Sequence, residues 1–210
     1  MATSIDDEIF VKIRFLYPSL TKSEKKVADV ILDDYEKVCS YTLAEYSEIA
    51  GCSDVVHADK INFFGVGDAW VACEAAHIKF QRIGVQSSAY SDVALALATA
   101  SLMKEGDLAI GISFSGETKL VVDALRIAKE NGAKTLCIVH YAKCELVKYA
   151  DMKIFTATTD YTPGHDEIAR RTAEFAIIDT LYMGLVSQKS EIIKEKSRKT
   201  LRAIILDNKN

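Results

Sequence analysis

Three hydroxyls and a glycine stand close together at Ser113, Ser115, Gly116 and Thr118, in the stretch Ile110-Gly-Ile-Ser-Phe-Ser-Gly-Glu-Thr-Lys119. Before them, Leu108-Ala-Ile-Gly-Ile112 is a short apolar run that predicts a β-strand. After them, Thr118 to Asn131 carries Leu120, Val121, Ala124, Leu125 and Ala128 on one stripe and predicts a helix. The turn is thus a helix N-terminus, with unpaired backbone N–H groups and the positive end of the helix dipole. Hydroxyls and a glycine there let a phosphate come close and be held without a cation or metal. The simpler role for the same residues is capping, with Ser115 or Thr118 as N-cap.

The elements that must position this turn begin at Ile61. Strands are predicted at Ile61–Phe64, Gln86–Tyr90, Leu108–Ile112, Thr135–Val139 and Met152–Phe155. Between them lie helices at Ala69–Arg82, Val93–Met103 and Thr118–Asn131, and a short one at Glu145–Tyr149. The first of these should bury Val71, Ala72, Ala75, Ala76, Ile78 and Phe80. Such alternation implies an α/β fold, a parallel sheet covered on both faces with right-handed crossovers. In a five-stranded doubly wound sheet of order 2-1-3-4-5, the crevice opens between the carboxyl ends of strands one and three. Those ends are Gly65-Val-Gly67-Asp68-Ala69 and Ser113 to Thr118, so two glycine-bearing turns should face each other. That convergence favours a phosphorylated ligand over capping alone. A dinucleotide is disfavoured, because Trp70 stands where the fingerprint needs its third glycine.

A polar loop from Thr156 to Gly164 leads into a long helix, Asp166 to Ser187, apolar over more than one face. Helices of that kind sit between layers or in interfaces, so a dimer is expected. Lys189 to Asn210 reads as a charged terminal helix with Ile192, Ile193, Leu201, Ile204 and Ile205 docked.

Residues 1–56 read as wholly helical and as a separate domain from 57–210. Ile9, Phe10, Ile13, Leu16 and Tyr17 recur at helical spacing up to Pro18, and Thr21-Lys-Ser-Glu24 has capping-box spacing before a second helix. Thr42-Leu-Ala-Glu-Tyr-Ser-Glu-Ile-Ala50 followed by Gly51-Cys52-Ser53 is the pattern of the first half of a helix-turn-helix. The second half is short. Asp54-Val-Val-His-Ala-Asp-Lys60 makes at most about two turns before the strand at Ile61, and its two aspartates suit a phosphate backbone poorly. A partial helix-turn-helix is the expectation.

The totals narrow the class. Of 210 residues 49% are apolar and 27% charged, enough for a real core in a soluble chain. A net charge of −4 does not suggest a broad nucleic-acid surface. Cys39, Cys52, Cys73, Cys137 and Cys144 are scattered without C-x-x-C spacing, which fits idle thiols better than a disulfide frame or zinc site. No metal or cofactor is expected. With no signal pattern and no apolar run near the ~18 residues of a membrane span, a cytoplasmic location is expected.

The chain resembles the sugar isomerase (SIS) domain, and specifically the RpiR family of bacterial transcriptional regulators. The resemblance is carried by Phe64-Gly-Val-Gly-Asp68, His77-Ile-Lys-Phe-Gln-Arg-Ile-Gly84, Tyr90-Ser-Asp92 and Gly106 to Lys119. Asn131-Gly-Ala133, Tyr149-Ala-Asp151 and Ala176-Ile-Ile-Asp-Thr-Leu181 add to it, as do Leu20 to Ala28 and Thr42-Leu-Ala-Glu45 upstream. It implies a sugar-phosphate effector domain joined to a DNA-binding domain that reads operator DNA, working as a homodimer or homotetramer. By matching positions, Ser113, Ser115, Gly116 and Thr118 would hold the phosphate, with Gly67 and Asp68 in the facing loop. Ala69 departs from the serine that many relatives carry, and the missing recognition helix departs further.

Three functions follow for testing: a phosphosugar-sensing regulator or its remnant, a phosphosugar aldose–ketose isomerase, or a dimerising module without ligand. Isomerisation needs a general base beside the sugar carbons. Glu117, His165, Glu167 and His77 are the candidates, although Glu117 more simply supports the helix N-terminus and His77 more simply packs. The intact hydroxyl turn argues against the third function.

Overall fold

The computed structural model describes residues 57–140, 143–156, 165–188 and 190–207, together with positions 14, 15, 17–19, 25, 32 and 55 upstream. The reading of residues 1–56 as a partial helix-turn-helix therefore lies outside the described residues, apart from those positions. Within the described chain, strands and helices alternate as expected. They are β1 (Lys60–Phe64), α1 (Asp68–Arg82), β2 (Gln86–Tyr90), α2 (Val93–Ser101), β3 (Asp107–Ile112), α3 (Lys119–Glu130), β4 (Lys134–Val139) and β5 (Met152–Phe155). A 3-10 turn at Leu146–Tyr149 precedes β5, and α4 (His165–Gln188) and α5 (Ser190–Asp207) follow it.

All four strand pairings are parallel and the order is β2-β1-β3-β4-β5. Register follows the alternation of side chains across the pleat. Ile61, Phe63, Leu108, Ile110, Leu136 and Ile138 bury on one face against α1, α4 and Ile193 of α5. Phe64, Ala109, Cys137 and Val139 bury on the other against α2 and α3. Because both faces are covered, β3 is buried along its whole length, and its sequence is accordingly a continuous apolar run after Asp107. Phe80 of α1 meets Phe63 edge-on, with ring centroids 5.7 Å apart, which fixes α1 over the sheet beside the end of β1.

Several expectations need correction. In α1 the buried stripe is Ala69, Ala72, Cys73, Ala76 and Phe80, so Val71 and Ile78 fall on the opposite face and are exposed. The second helix stops at Ser101, because the amides of Leu102 and Met103 turn back three residues to Thr99 and Ala100. The short helix at 145–149 is a 3-10 turn. On α5, Ile193 docks but Leu201 is exposed. Exposed apolar side chains also stand on α4, at Ile168 and Met183. Among the described residues no helix is long and apolar enough to cross a membrane.

Candidate functional site

Strands β1 and β3 are neighbours, and the chain leaves both at the same edge of the sheet. After β1 it passes Gly65 and Val66 to Gly67, whose φ of 62° and ψ of −127° a side chain would strain, and α1 starts at once with Asp68. Beyond β3 the amide of Ser113 still donates to Ile138 O at 3.1 Å, extending the ladder by one residue before the chain turns. Gly116 completes the turn with φ 69°, and its amide donates to Ser113 O at 3.2 Å and Ser113 Oγ at 3.1 Å. A Cβ at Gly116 would run into the Cys144 side chain, so the loop before β5 presses on the turn from behind. Two further bonds fasten that contact: Leu146 N donates to Gly116 O at 3.0 Å, and Glu145 N donates to Glu117 Oε1 at 2.9 Å.

The hydroxyls are arranged in an informative way. Thr118 is the N-cap of α3, but its side chain makes no capping bond. Its Oγ1 pairs instead with Ser113 Oγ at 2.9 Å. Ser115 is exposed and its Oγ accepts from Glu117 N at 3.2 Å. Helix α1 likewise has no side-chain cap at Gly67. By contrast, Asp92 caps α2 by accepting from Leu95 N at 2.9 Å. Among the described residues, the two helices that start at the β1–β3 edge thus leave their first amides without a side-chain partner, as an anion-binding edge requires.

A cavity of about 400 Å³ lies at this edge. One wall is Val66, Asp68 and Ala69, and the second is Ile112 to Ser115 with Thr118. The third comes from α4 through Arg170, Arg171 and Glu174. Arg171 pairs with Asp68 at 3.1 Å, tying α4 to the start of α1. Arg170 lies over the Phe114 ring at 4.5 Å from its centroid, and that ring stacks on His140 at 4.6 Å. Glu174 is only 6% exposed. Burial raises its carboxyl above the usual range, the nearby Asp68 carboxylate adds to this, and Arg170 and Arg171 only partly offset it. No group of side chains able to hold a metal ion is present among the described residues.

Of the residues singled out in the sequence, Asp68, Ser113, Ser115 and Thr118 line the cavity, while Gly67 and Gly116 shape the two turns without lining it. Ala69, at the position of the absent serine, lies in the wall. The candidate bases are less well placed. The Nδ1 of His77 is 3.3 Å from Ser87 Oγ, and neither His77 nor Glu117 lines the cavity. The side chains of His165 and Glu167 lie outside the described ones. Sequence reasoning missed Arg170, Arg171 and Glu174. A signal for Glu174 existed: Glu174, Ile178, Leu181 and Leu185 share helical spacing, and the last three are at most 2% exposed. A carboxylate on that buried stripe was legible as an anomaly.

A doubly wound parallel sheet with its cavity at the switch point between β1 and β3 defines the class of this domain. The SIS domain profile matches residues 54–184, and the chain belongs to that family. It is 39% identical over 135 residues to an uncharacterised HTH-type transcriptional regulator of Caldanaerobacter subterraneus subsp. tengcongensis, covering 64% of this chain and 48% of that protein. It is 30% identical over 139 residues to the HTH-type transcriptional regulator RpiR of Escherichia coli K12, covering 66% and 47%. The chain therefore spans about half the length of the curated relatives it matches. Its fold is similar to that of the Vibrio vulnificus NanR protein complexed with ManNAc-6P. That similarity has a TM-score of 0.67 at 17% identity and covers 94% of this chain and 98% of the other.

Proposed function

We infer that this chain is a sugar-phosphate-responsive transcriptional regulator of the RpiR kind, in which the SIS domain takes a phosphorylated sugar as its effector. One observation carries the reading: α1 and α3 point uncapped N-termini at one cavity, and the Ser113–Thr118 hydroxyl pair and Ser115 stand beside them. Ser113, Ser115 and Thr118 contribute hydroxyls to the phosphate oxygens. Gly67 and Gly116 let the backbone come close, and Asp68 sits in the facing turn with its charge offset by Arg171. The ManNAc-6P held by NanR, a protein of the same fold, supports a ligand of this chemistry. Operator DNA, assembly as a homodimer or homotetramer and a cytoplasmic location belong to the same reading by kinship with the named regulators.

Glu174 favours a second reading, the aldose–ketose isomerase. A carboxyl raised by burial within a cavity wall is the tuned base that such chemistry uses. The two separate in one experiment. Thermal melting is followed with a panel of phosphorylated sugars and with their unphosphorylated forms, and the best stabiliser is then incubated with the protein and assayed for aldose–ketose conversion. The regulator reading expects stabilisation by phosphorylated sugars only and no turnover. Turnover replaces it with the enzyme, and equal stabilisation by free sugars removes the phosphate site.

A further inference from the structure

Glu174 is a buried carboxyl that the fold itself does not use. It shares its stripe on α4 with Ile178, Leu181 and Leu185, which all pack into the core, yet it ends in the cavity wall. Arg170 and Arg171 stand four and three residues before it, the spacings at which a helix offers an ion pair. Neither makes one with it. Arg171 is bonded to Asp68, and Arg170 is turned over the Phe114 ring. Among the described residues the Glu174 side chain has no hydrogen bond or ion pair, although it is 94% buried by its 6% exposure. Its oxygens are not among the fully enclosed unpaired atoms, so the carboxyl is open to the cavity and a ligand there can reach it.

We propose that Glu174 is the specificity-determining residue of this cavity, accepting hydrogen bonds from the sugar body of a ligand whose phosphate sits at the Ser113–Thr118 turn. The inference rests on the phosphate reading above and extends it to the other end of the ligand. Once ionised, Glu174 is acceptor-only and selects donors: neighbouring hydroxyls of an aldose or ketose phosphate, or the N–H of an acylamino group. A ligand carrying a second anion at that end meets the like charge of ionised Glu174 in the same wall. A site built to bond a substrate hydroxyl also rejects an analogue lacking it far more strongly than an apolar pocket would. The cavity thus prefers neutral-bodied sugar monophosphates to sugar-acid phosphates.

The test uses the full chain as wild type, Glu174→Gln and Glu174→Ala. Calorimetric titrations are run with inorganic phosphate, glucose 6-phosphate, N-acetylglucosamine 6-phosphate, ribose 5-phosphate and 6-phosphogluconate. Melting curves of each variant without ligand confirm folding. In wild type, the tightest neutral sugar phosphate is expected to bind at least tenfold better than either 6-phosphogluconate or inorganic phosphate. E174A should lower the ratio of sugar-phosphate to inorganic-phosphate affinity at least tenfold. E174Q, which adds an amide donor at the same place, should move the preference toward 6-phosphogluconate by a similar factor. If wild type binds inorganic phosphate but gains nothing from the sugar, or if both variants keep the wild-type ratios, the role of Glu174 is overturned while the phosphate turn stands. If wild type binds neither, both readings fall together.

Discussion

Ser115→Ala separates a phosphate site from a mere turn, because Ser115 has little structural work to do. It is exposed, and its one hydrogen bond among the described residues accepts the amide of Glu117, itself exposed, at 3.2 Å. Water can replace that bond, so the stability cost should stay within about 0.5 kcal/mol. Against a bound phosphate the loss is different. A hydrogen bond to a charged group is worth roughly 1.5–3 kcal/mol, which weakens the dissociation constant roughly 10- to 150-fold. Ser113→Ala is the internal contrast. Ser113 is 3% exposed, and its hydroxyl serves both Thr118 Oγ1 and Gly116 N. That substitution should weaken binding and also lower stability by about 1–3 kcal/mol. The assay pairs calorimetric titration of the best sugar phosphate with urea unfolding of the unliganded protein. If S115A binds within twofold of wild type, and S113A loses affinity only as far as it loses stability, the hydroxyls serve the turn and not a ligand.

Other outcomes can be checked alongside. Gly116→Ala forces a left-handed φ on a side chain, at about 1–2 kcal/mol, and drives Cβ into Cys144, at about 1–3 kcal/mol more. Adding Cys144→Ala should recover only the part of the clash due to Sγ, because the Cβ of residue 144 stays 2.7 Å away, and full recovery of the denaturation midpoint would refute the backbone component. Glu174 has its carboxyl raised by burial, so its contribution to stability is fully present below the usual carboxylate range and is lost as pH rises through the folded-state value. Glu174→Gln should therefore gain on wild type in melting temperature as pH rises from the usual carboxylate range, and parallel curves would contradict this. Asp151 has the opposite sign. Burial opposes its charge, but Lys129 at 2.8 Å and the Thr135 amide and hydroxyl hold its carboxyl below the usual range. Asp151→Ala should cost about 1–3 kcal/mol at neutral pH, with the deficit shrinking as pH falls through that range; a deficit independent of pH would count against it.

The sheet and the two facing turns were legible because their signals are local. Strand β3 announces itself by an apolar run buried on both faces, and the turn after it by hydroxyls and a glycine at the start of an amphipathic helix. Strand order then followed from the rule for doubly wound sheets, which places the crevice without reference to any one side chain. The α4 wall was harder. Which face of a helix apolar on several sides meets the crevice is decided by packing against α1, and the Arg171–Asp68 pair joins residues 103 positions apart. The same limit applies to Cys144, whose contact with Gly116 depends on how the loop before β5 folds back. Val71 and Ile78 were misplaced because α1 buries small residues on its core face, leaving its larger aliphatic side chains outside.

The central claim is that the Ser113–Thr118 turn and the start of α1 hold a phosphate between them. Its most direct test is an amide NMR titration of the isotope-labelled chain with the best-binding sugar phosphate. The expected result is that the largest shifts fall at Ser115 to Leu120 and at Asp68 to Trp70, and that they saturate together at one dissociation constant. Saturable shifts confined to other elements, with both helix starts silent, would contradict it.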